Sequence, residues 1–376
     1  MPSEERLDLT EAVPYHHGKF PPNGFDAHQL MGPLSSATAA LARYDQMLKG
    51  MHDSKILLTP LRRQEAVVSS RMEGTISTLE EVLKYEADQE DGATTSTSRQ
   101  EAVEVALYAR AIDYAQKELE EGKSLSNWII RNAHKILLSY GRGAKKSPGE
   151  YKTEQNYLAD RSRRKILFIP ISPEHLASGM DSFFDYINTS DAPDLIKAAV
   201  SHLEFEALHP FQDGNGRIGR MIITLLLWNS GAINAPHFYI SSFFEDNKDE
   251  YISRMREVSS SGDWTPWIAF FLKAVEAQAT KNLMISEEIR LLYARLRDEM
   301  PNIISSKWNA RVLDFLFERP IFRSNVFPKR TGIPQQSANR FIRALVQHDL
   351  VQTLEPASGR RPALYSFGPL LDLVRE

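Results

Sequence analysis

No cysteine occurs in the 376-residue chain. That absence excludes a disulfide scaffold, a thiolate zinc site, an iron–sulfur cluster and a cysteine nucleophile, and it fits a reducing compartment. Long apolar runs are also missing. The longest, Met221–Trp228, covers about eight residues with Thr224 among them, against the roughly 20 that a membrane helix needs, so no membrane partner is expected. The first residues, MPSEERLDLTEAVPYHHGKF, lack the apolar centre of a signal peptide, and the expectation is a soluble, cytoplasmic protein. Neither sign of charge dominates. Lys plus Arg number 45 and Asp plus Glu 49, a net −4, which argues against a chain basic along its whole length and leaves room for a local basic patch. What is present is ordinary for a folded protein, 42% hydrophobic and 25% charged residues, in a length that suits two or three domains.

The pattern is mainly helical. The first residues, to about Asp26, are rich in proline and read as an arm. Thr59-Pro60 starts a helix, with Thr59 as N-cap, that runs toward a stop at Gly74. Ser77 and Glu80 form a capping box for the next helix, and Asp88 to Ser98 reads as an exposed acidic and Thr/Ser-rich loop. Helices are expected over Glu101–Glu121 and Asn127–Tyr140. Between Tyr151 and Ile171, two short apolar segments flank a charged tip, Asp160 to Lys165, which predicts a β-hairpin. Helices resume from Pro173 to Leu272, followed by a long one over Val275–Met300. After Pro301 the order changes to helix, short helix, helix and hairpin, with a turn at Gly359-Arg360-Arg361-Pro362. That is the order of a winged helix-turn-helix.

The chemistry concentrates in His209-Pro210-Phe211-Gln212-Asp213-Gly214-Asn215-Gly216-Arg217-Ile218-Gly219-Arg220, between two helical patterns. Pro210 disfavours helix at His209, so the first helix should stop there and leave the imidazole at its mouth. Gly214 and Gly216 allow positive φ. Together with the N-terminus of the following helix, they make a nest of backbone N–H groups suited to phosphates. Arg217 and Arg220, three apart, lie on one face and suit neighbouring phosphates of a nucleotide. Asp213 is an oxygen ligand suited to Mg²⁺ shared with those phosphates, and His209 suits a general base near neutral pH. The glycines also fit the dinucleotide fingerprint, but a helix and His-Pro, rather than a strand, precede them. No Walker loop is present. Glu206-x-x-His209 occurs once, where a carboxylate-bridged metal bundle needs two such pairs.

This string resembles the signature of the Fic family, His-Pro-Phe-x-Asp/Glu-Gly-Asn-Gly-Arg-x-x-Arg. The resemblance implies a Fic-type helical core and adenylylation, the transfer of AMP from Mg-ATP to a Ser, Thr or Tyr hydroxyl of a target protein. By that resemblance His209 deprotonates the hydroxyl and Phe211 anchors the loop. Asp213 binds Mg²⁺, Gly214, Asn215, Gly216 and Arg217 cradle the α- and β-phosphates, and Arg220 addresses the γ-phosphate.

A second string, Ser69-Ser70-Arg71-Met72-Glu73-Gly74, places Ser69 and Glu73 four apart on one helix face. It resembles the inhibitory helix of Fic proteins that carry it N-terminal to the core. That resemblance implies a pair between Glu73 and Arg220 in the γ-phosphate's place; the same glutamate could instead support AMP removal. The hairpin, with Tyr157, Leu158, Ile166 and Phe168, corresponds to the flap that aligns a target segment by strand pairing. Where the family usually ends a Pro-Gly-x-x-Arg string, Pro148-Gly149-Glu150-Tyr151 is followed by Lys152, which lacks the planar fork of arginine. In the tail, Gln335, Gln336, Asn339, Arg340 and Arg343 on the third helix, with Arg360 and Arg361 at the wing, suit DNA contacts; protein contact is the competing use.

The expected division is residues 1–110 as an N-terminal helical region with the inhibitory helix, 111–285 as the catalytic core and 300–376 as the winged helix. The leading expectation is an auto-inhibited protein adenylyltransferase with ATP and Mg²⁺. Its open partners are an unidentified target protein, the chain itself, a homodimer and DNA. The rivals are transfer of another phosphate-containing group on the same loop and a DNA-binding regulator whose core senses nucleotide.

Overall fold

The structure, a computed structural model, describes residues 8–51, 53–91, 100–160 and 165–375. In chain order the elements are β1 (Val13–Pro14), α1 (Ala27–Lys49), α2 (Ser54–Leu57), α3 (Thr59–Met72), α4 (Leu79–Asp91), α5 (Gln100–Glu120) and α6 (Asn127–Leu137). A 3-10 turn over Gly141–Lys145 leads to β2 (Leu158–Asp160), β3 (Lys165–Ile169), α7 (Pro173–Thr189), α8 (Asp194–Leu208), α9 (Asn215–Asn229), α10 (Ser241–Asp246) and α11 (Lys248–Ser261). The rest is α12 (Thr265–Ile303), α13 (Asn309–Glu318), β4 (Ile321–Arg323), α14 (Val326–Thr331), α15 (Gln335–Gln347), β5 (Gln352–Glu355), β6 (Leu364–Ser366) and α16 (Gly368–Val374). Helix dominates. Among the described residues no helix is long and apolar enough to cross a membrane.

Two compact units result, and they cut across the three-way division expected from sequence. One comprises Met1–Ala42 with Arg110–Ala279, the other Arg43–Ala109 with Thr280–Glu376. The expected 1–110 region is therefore divided, and its greater part packs with the C-terminal segment instead of standing alone.

The first unit is built on α8 and α9. Nearly every residue of both is buried, because each is apolar around most of its circumference. At Gly219 of α9 a Cβ would sit 2.4 Å from Glu206 Oε1 of α8, so only glycine fits without displacing that carboxylate. The hairpin is shorter than the 151–171 span. β2 and β3 pair antiparallel with Leu158 opposite Phe168 and Asp160 opposite Lys165; its expected tip at 161–164 lies outside the described residues. The arm supplies a third strand, with Val13 and Pro14 pairing parallel to Phe168 and Ile169, giving the order β1-β3-β2. The arm is fixed further along, where Tyr15 donates to Glu204 (2.7 Å) and His16 bridges Glu204 and Ser259 (2.8 Å each).

In the second unit α3 and α4 pack with α13, α16 and the sheet β4-β6-β5. α3 begins one residue early, with Thr59 already helical and Pro60 next. The capping box is shifted by one residue: Glu81 N–H donates to Thr78 Oγ1 (3.2 Å) while Thr78 N–H donates to Glu81 Oε2 (3.0 Å). The expected loop from Asp88 is also corrected. α4 continues to Asp91, and Asp88 is buried, facing Arg323 at 2.7 Å with both side chains almost fully covered. Residues 92–99 lie outside the described set.

Candidate functional site

α8 ends at Leu208, and His209 follows with φ 44° and ψ 60°, its N–H still donating to Phe205 O at 3.0 Å. The helix stops where Pro210 requires. His209, however, takes the left-handed conformation instead of an extended one, a sparsely populated state for a residue with a Cβ. It turns the chain by a single residue into the loop. The imidazole is half-buried.

Phe211 has no exposed surface, and its ring stacks on His134 of α6 at 3.7 Å and 8°. Asn215 folds back so that its Oδ1 accepts from Phe211 N–H and its Nδ2 donates to Phe211 O, both at 2.8 Å. Its side-chain amide thus serves the loop itself. Gly214 takes φ 77° and a Cβ there would meet Leu137 Cδ2 at 3.2 Å, so glycine is required twice over. Gly216, by contrast, lies in the first turn of α9 and not at positive φ. First-turn amides of a helix have no partner within it, which leaves the nest at residues 215–217.

Arg217 and Arg220 are both buried. Asp213 is half-exposed, with Oδ1 accepting from Gly214 N–H at 2.6 Å and lying 3.7 Å from Arg217 Nη2. Among the described residues no cluster of three or more His, Cys, Asp or Glu side chains could hold a metal. One rim carboxylate fits Mg²⁺, which binds through one or two carboxylates, waters and substrate phosphates.

Sequence reasoning missed three residues. His134 Nδ1 accepts from Gly149 N–H (2.8 Å), so Nε2 carries the hydrogen that is donated to Asp213 O (2.9 Å). Burial, outweighing that bond, pulls its pKa to about 4, and the neutral ring pins the loop. His202 of α8 is fully buried, and burial together with Arg220 pulls it to about 3. Asn156 donates to His209 O and Phe211 O, both at 3.0 Å. Only the spacing of a histidine from the Pro148-Gly149 turn could have pointed to His134, and that is no signal by itself. Lys152, noted in the sequence for what it replaces, lies under the loop and donates to it.

Of the four hairpin residues, Ile166 and Phe168 are buried while Tyr157 is exposed and Leu158 half-buried. Alternation along β3 turns the first two into the core, so they cannot face a target segment. In the second unit Ser69 is buried within α3, Glu73 is its exposed C-cap, and Gly74 takes φ 85°.

A left-handed turn at a histidine thus leads through the loop into a helix whose first two turns carry two buried arginines. Residues 31–117 match the Fic/DOC family N-terminal model and residues 124–227 the Fic/DOC family model. The chain belongs to the Fic/DOC family. Among curated proteins it is similar to protein adenylyltransferase Fic of Nematostella vectensis, 28% identical over 173 residues, which is 44% of this chain and 36% of that protein. A probable protein adenylyltransferase of Aquifex aeolicus is 26% identical over 198 residues, 52% of this chain and 55% of its own length. The chain thus spans about a third to about half the length of these relatives. A solved Fic family protein of Desulfovibrio desulfuricans superposes with a TM-score of 0.55 at 20% identity, covering 92% of this chain and 98% of that one, a likeness of fold.

Proposed function

We propose that the chain is a protein adenylyltransferase that moves AMP from ATP to a Ser, Thr or Tyr hydroxyl of another protein. The observation that carries this is the left-handed turn at His209, six residues before the start of α9 with its two buried arginines, Arg217 and Arg220. Relatives named adenylyltransferases support it. His209 accepts the proton of the target hydroxyl, whose oxygen attacks the α-phosphorus. The α–β bridging P–O bond breaks and pyrophosphate leaves. The backbone N–H groups of residues 215–217, with Arg217, receive charge on the α- and β-phosphates, and Arg220 takes the γ-phosphate. Asp213 would hold Mg²⁺, which supplies charge neutralisation on the phosphates when bound. The target segment adds to the outer edge of β2, beside Tyr157 and Leu158.

Glu73, at the end of α3, restrains the reaction by competing with the γ-phosphate for Arg220, a carboxylate and a phosphate being rivals for one guanidinium. The C-terminal segment is a winged helix-turn-helix built from α13, α14 and α15 with β5–β6 as the wing. DNA is its partner by virtue of the exposed Gln335, Gln336, Asn339, Arg340 and Arg343 on α15. Arg361 of the wing instead faces Asp88 and Glu355, both at 3.4 Å.

The test is incubation with ATP and Mg²⁺ followed by intact-mass spectrometry. Glu73→Gly should gain an AMP adduct on itself or on a partner above the wild-type level, and His209→Ala should lose roughly 10²–10⁴-fold in rate. A Glu73→Gly protein that forms no adduct, yet still retards duplex DNA, would overturn the transferase reading in favour of a nucleotide-sensing regulator.

A further inference from the structure

Four successive carbonyls of the loop are held by one short segment and by the loop's own Asn215. Lys152 Nζ donates to Leu208 O at 3.0 Å, Lys152 N–H donates to Pro210 O at 2.8 Å, and Asn156 Nδ2 donates to His209 O and Phe211 O at 3.0 Å. Asn215 adds the second bond to Phe211 O. Lys152 Nζ also donates to Asn156 Oδ1 at 2.8 Å, so the two side chains form one clamp.

The clamp is costly to maintain. Lys152 is only 3% exposed, and no carboxylate pairs with it among the described residues. Burial pulls its ammonium down to about 7. A buried cation without a counter-charge is unfavourable, and an apolar side chain of the same length would fill the space without that penalty. What an apolar side chain could not do is bond the last carbonyl of α8. That carbonyl sits at the negative end of the helix, where a cation is best placed. The bond lies immediately before the one residue of the loop with a Cβ and positive φ, His209.

We propose that Lys152 and Asn156 are positioning residues for His209. They hold the strained left-handed turn by bonding the carbonyls on both sides of it, and so aim the imidazole at the hydroxyl to be deprotonated. Neither touches nucleotide or the reacting atoms. The proposal deepens the adenylyl-transfer reading, and its kinetic arm rests on that reading; a second arm does not.

In the Glu73→Gly background, Lys152→Met should lower kcat roughly 10–100-fold, the scale of a small misplacement of a reacting group, with KM for ATP held within about twofold. Lys152→Arg, which keeps a donor and the charge, should recover most of that loss. Independently of activity, the ring resonance of His209 in protein carrying 13C-labelled histidine, assigned by its loss in His209→Ala, should shift and broaden in Lys152→Met and return in Lys152→Arg. Should Lys152→Met fail to fold, Asn156→Ala removes two of the carbonyl bonds together with one acceptor of the Lys152 ammonium, and it is read by the same two measurements. An unchanged kcat with an unmoved His209 resonance overturns the proposal, as does a rise in KM for ATP with kcat intact. A Glu73→Gly protein that transfers nothing defeats the transferase reading only, and the resonance then decides the clamp.

Discussion

The buried histidine of α8 gives the fold a calculable weakness to acid. His202 has no exposed surface, its Nε2 lies 2.8 Å from the Tyr251 hydroxyl, and its ring stacks parallel to Phe244 at 5.6 Å. Burial, reinforced by the Arg220 guanidinium, takes it from 6.5 to about 3. At pH 5 the native ring is therefore neutral, while the same ring in the unfolded chain is largely protonated. Because the unfolded state binds the extra proton, stability is undiminished above about pH 6.5 and is lost as pH falls from there toward 3. One proton corresponds to about 1.4 kcal/mol per pH unit, hence about 2 kcal/mol at pH 5 and about 5 kcal/mol across the window. The assay is urea unfolding at several pH values, followed by tryptophan fluorescence, which the fully buried Trp264 and Trp267 of the same unit supply. His202→Gln cannot titrate. Its unfolding free energy should lose about 1.4 kcal/mol less per pH unit than the wild type between about pH 6 and pH 4. Comparing slopes removes the cost of the substitution itself, and equal slopes would refute the reasoning.

Three further outcomes follow from packing. Phe211→Ala empties a fully buried ring site stacked on His134 and should cost about 3–5 kcal/mol by urea midpoint; a loss under about 1 kcal/mol would show that the loop is not anchored there. Gly214→Ala forces a Cβ to φ 77° and to 3.2 Å from Leu137, which should cost about 1–3 kcal/mol and reduce AMP transfer by more than the stability loss explains; unaltered transfer would contradict it. Asp88→Ala strips Arg323 of one of two carboxylates in a buried site and should cost about 3–5 kcal/mol, whereas Asp88→Leu with Arg323→Met should recover most of it; calorimetry on the two variants decides.

Legibility in the sequence followed the range of the forces involved. The loop string and the end of the helix before it, at Leu208, rest on local chemistry, whereas the next helix starts at Asn215 inside the loop string, and β4 and α16 add to the helix, short helix, helix and hairpin read after Pro301. Features made by distant segments were not legible. Val13–Pro14 is too short to show alternation, yet it pairs with Phe168 and Ile169. Asp88 looks like the start of an acidic loop because its partner Arg323 comes 235 residues later. His134 and Asn156 are polar residues whose bonds go to backbone groups of the loop, and side-chain-to-backbone bonds across the fold leave no spacing to detect. Lys152 could be singled out as a departure from a pattern, but its buried contact with the end of α8 could not.

The discontinuous make-up of the second unit sets an order of events during synthesis. The first unit has all of its residues once the chain reaches Ala279, whereas α3 and α4 pack with elements drawn from the 97 residues Thr280–Glu376. At about 5–20 residues per second, translation of that stretch takes roughly 5–20 s. For that interval a nascent chain carries the loop and its arginines in a unit complete in sequence, while the segment bearing Glu73 still lacks α13 and α16 to pack against.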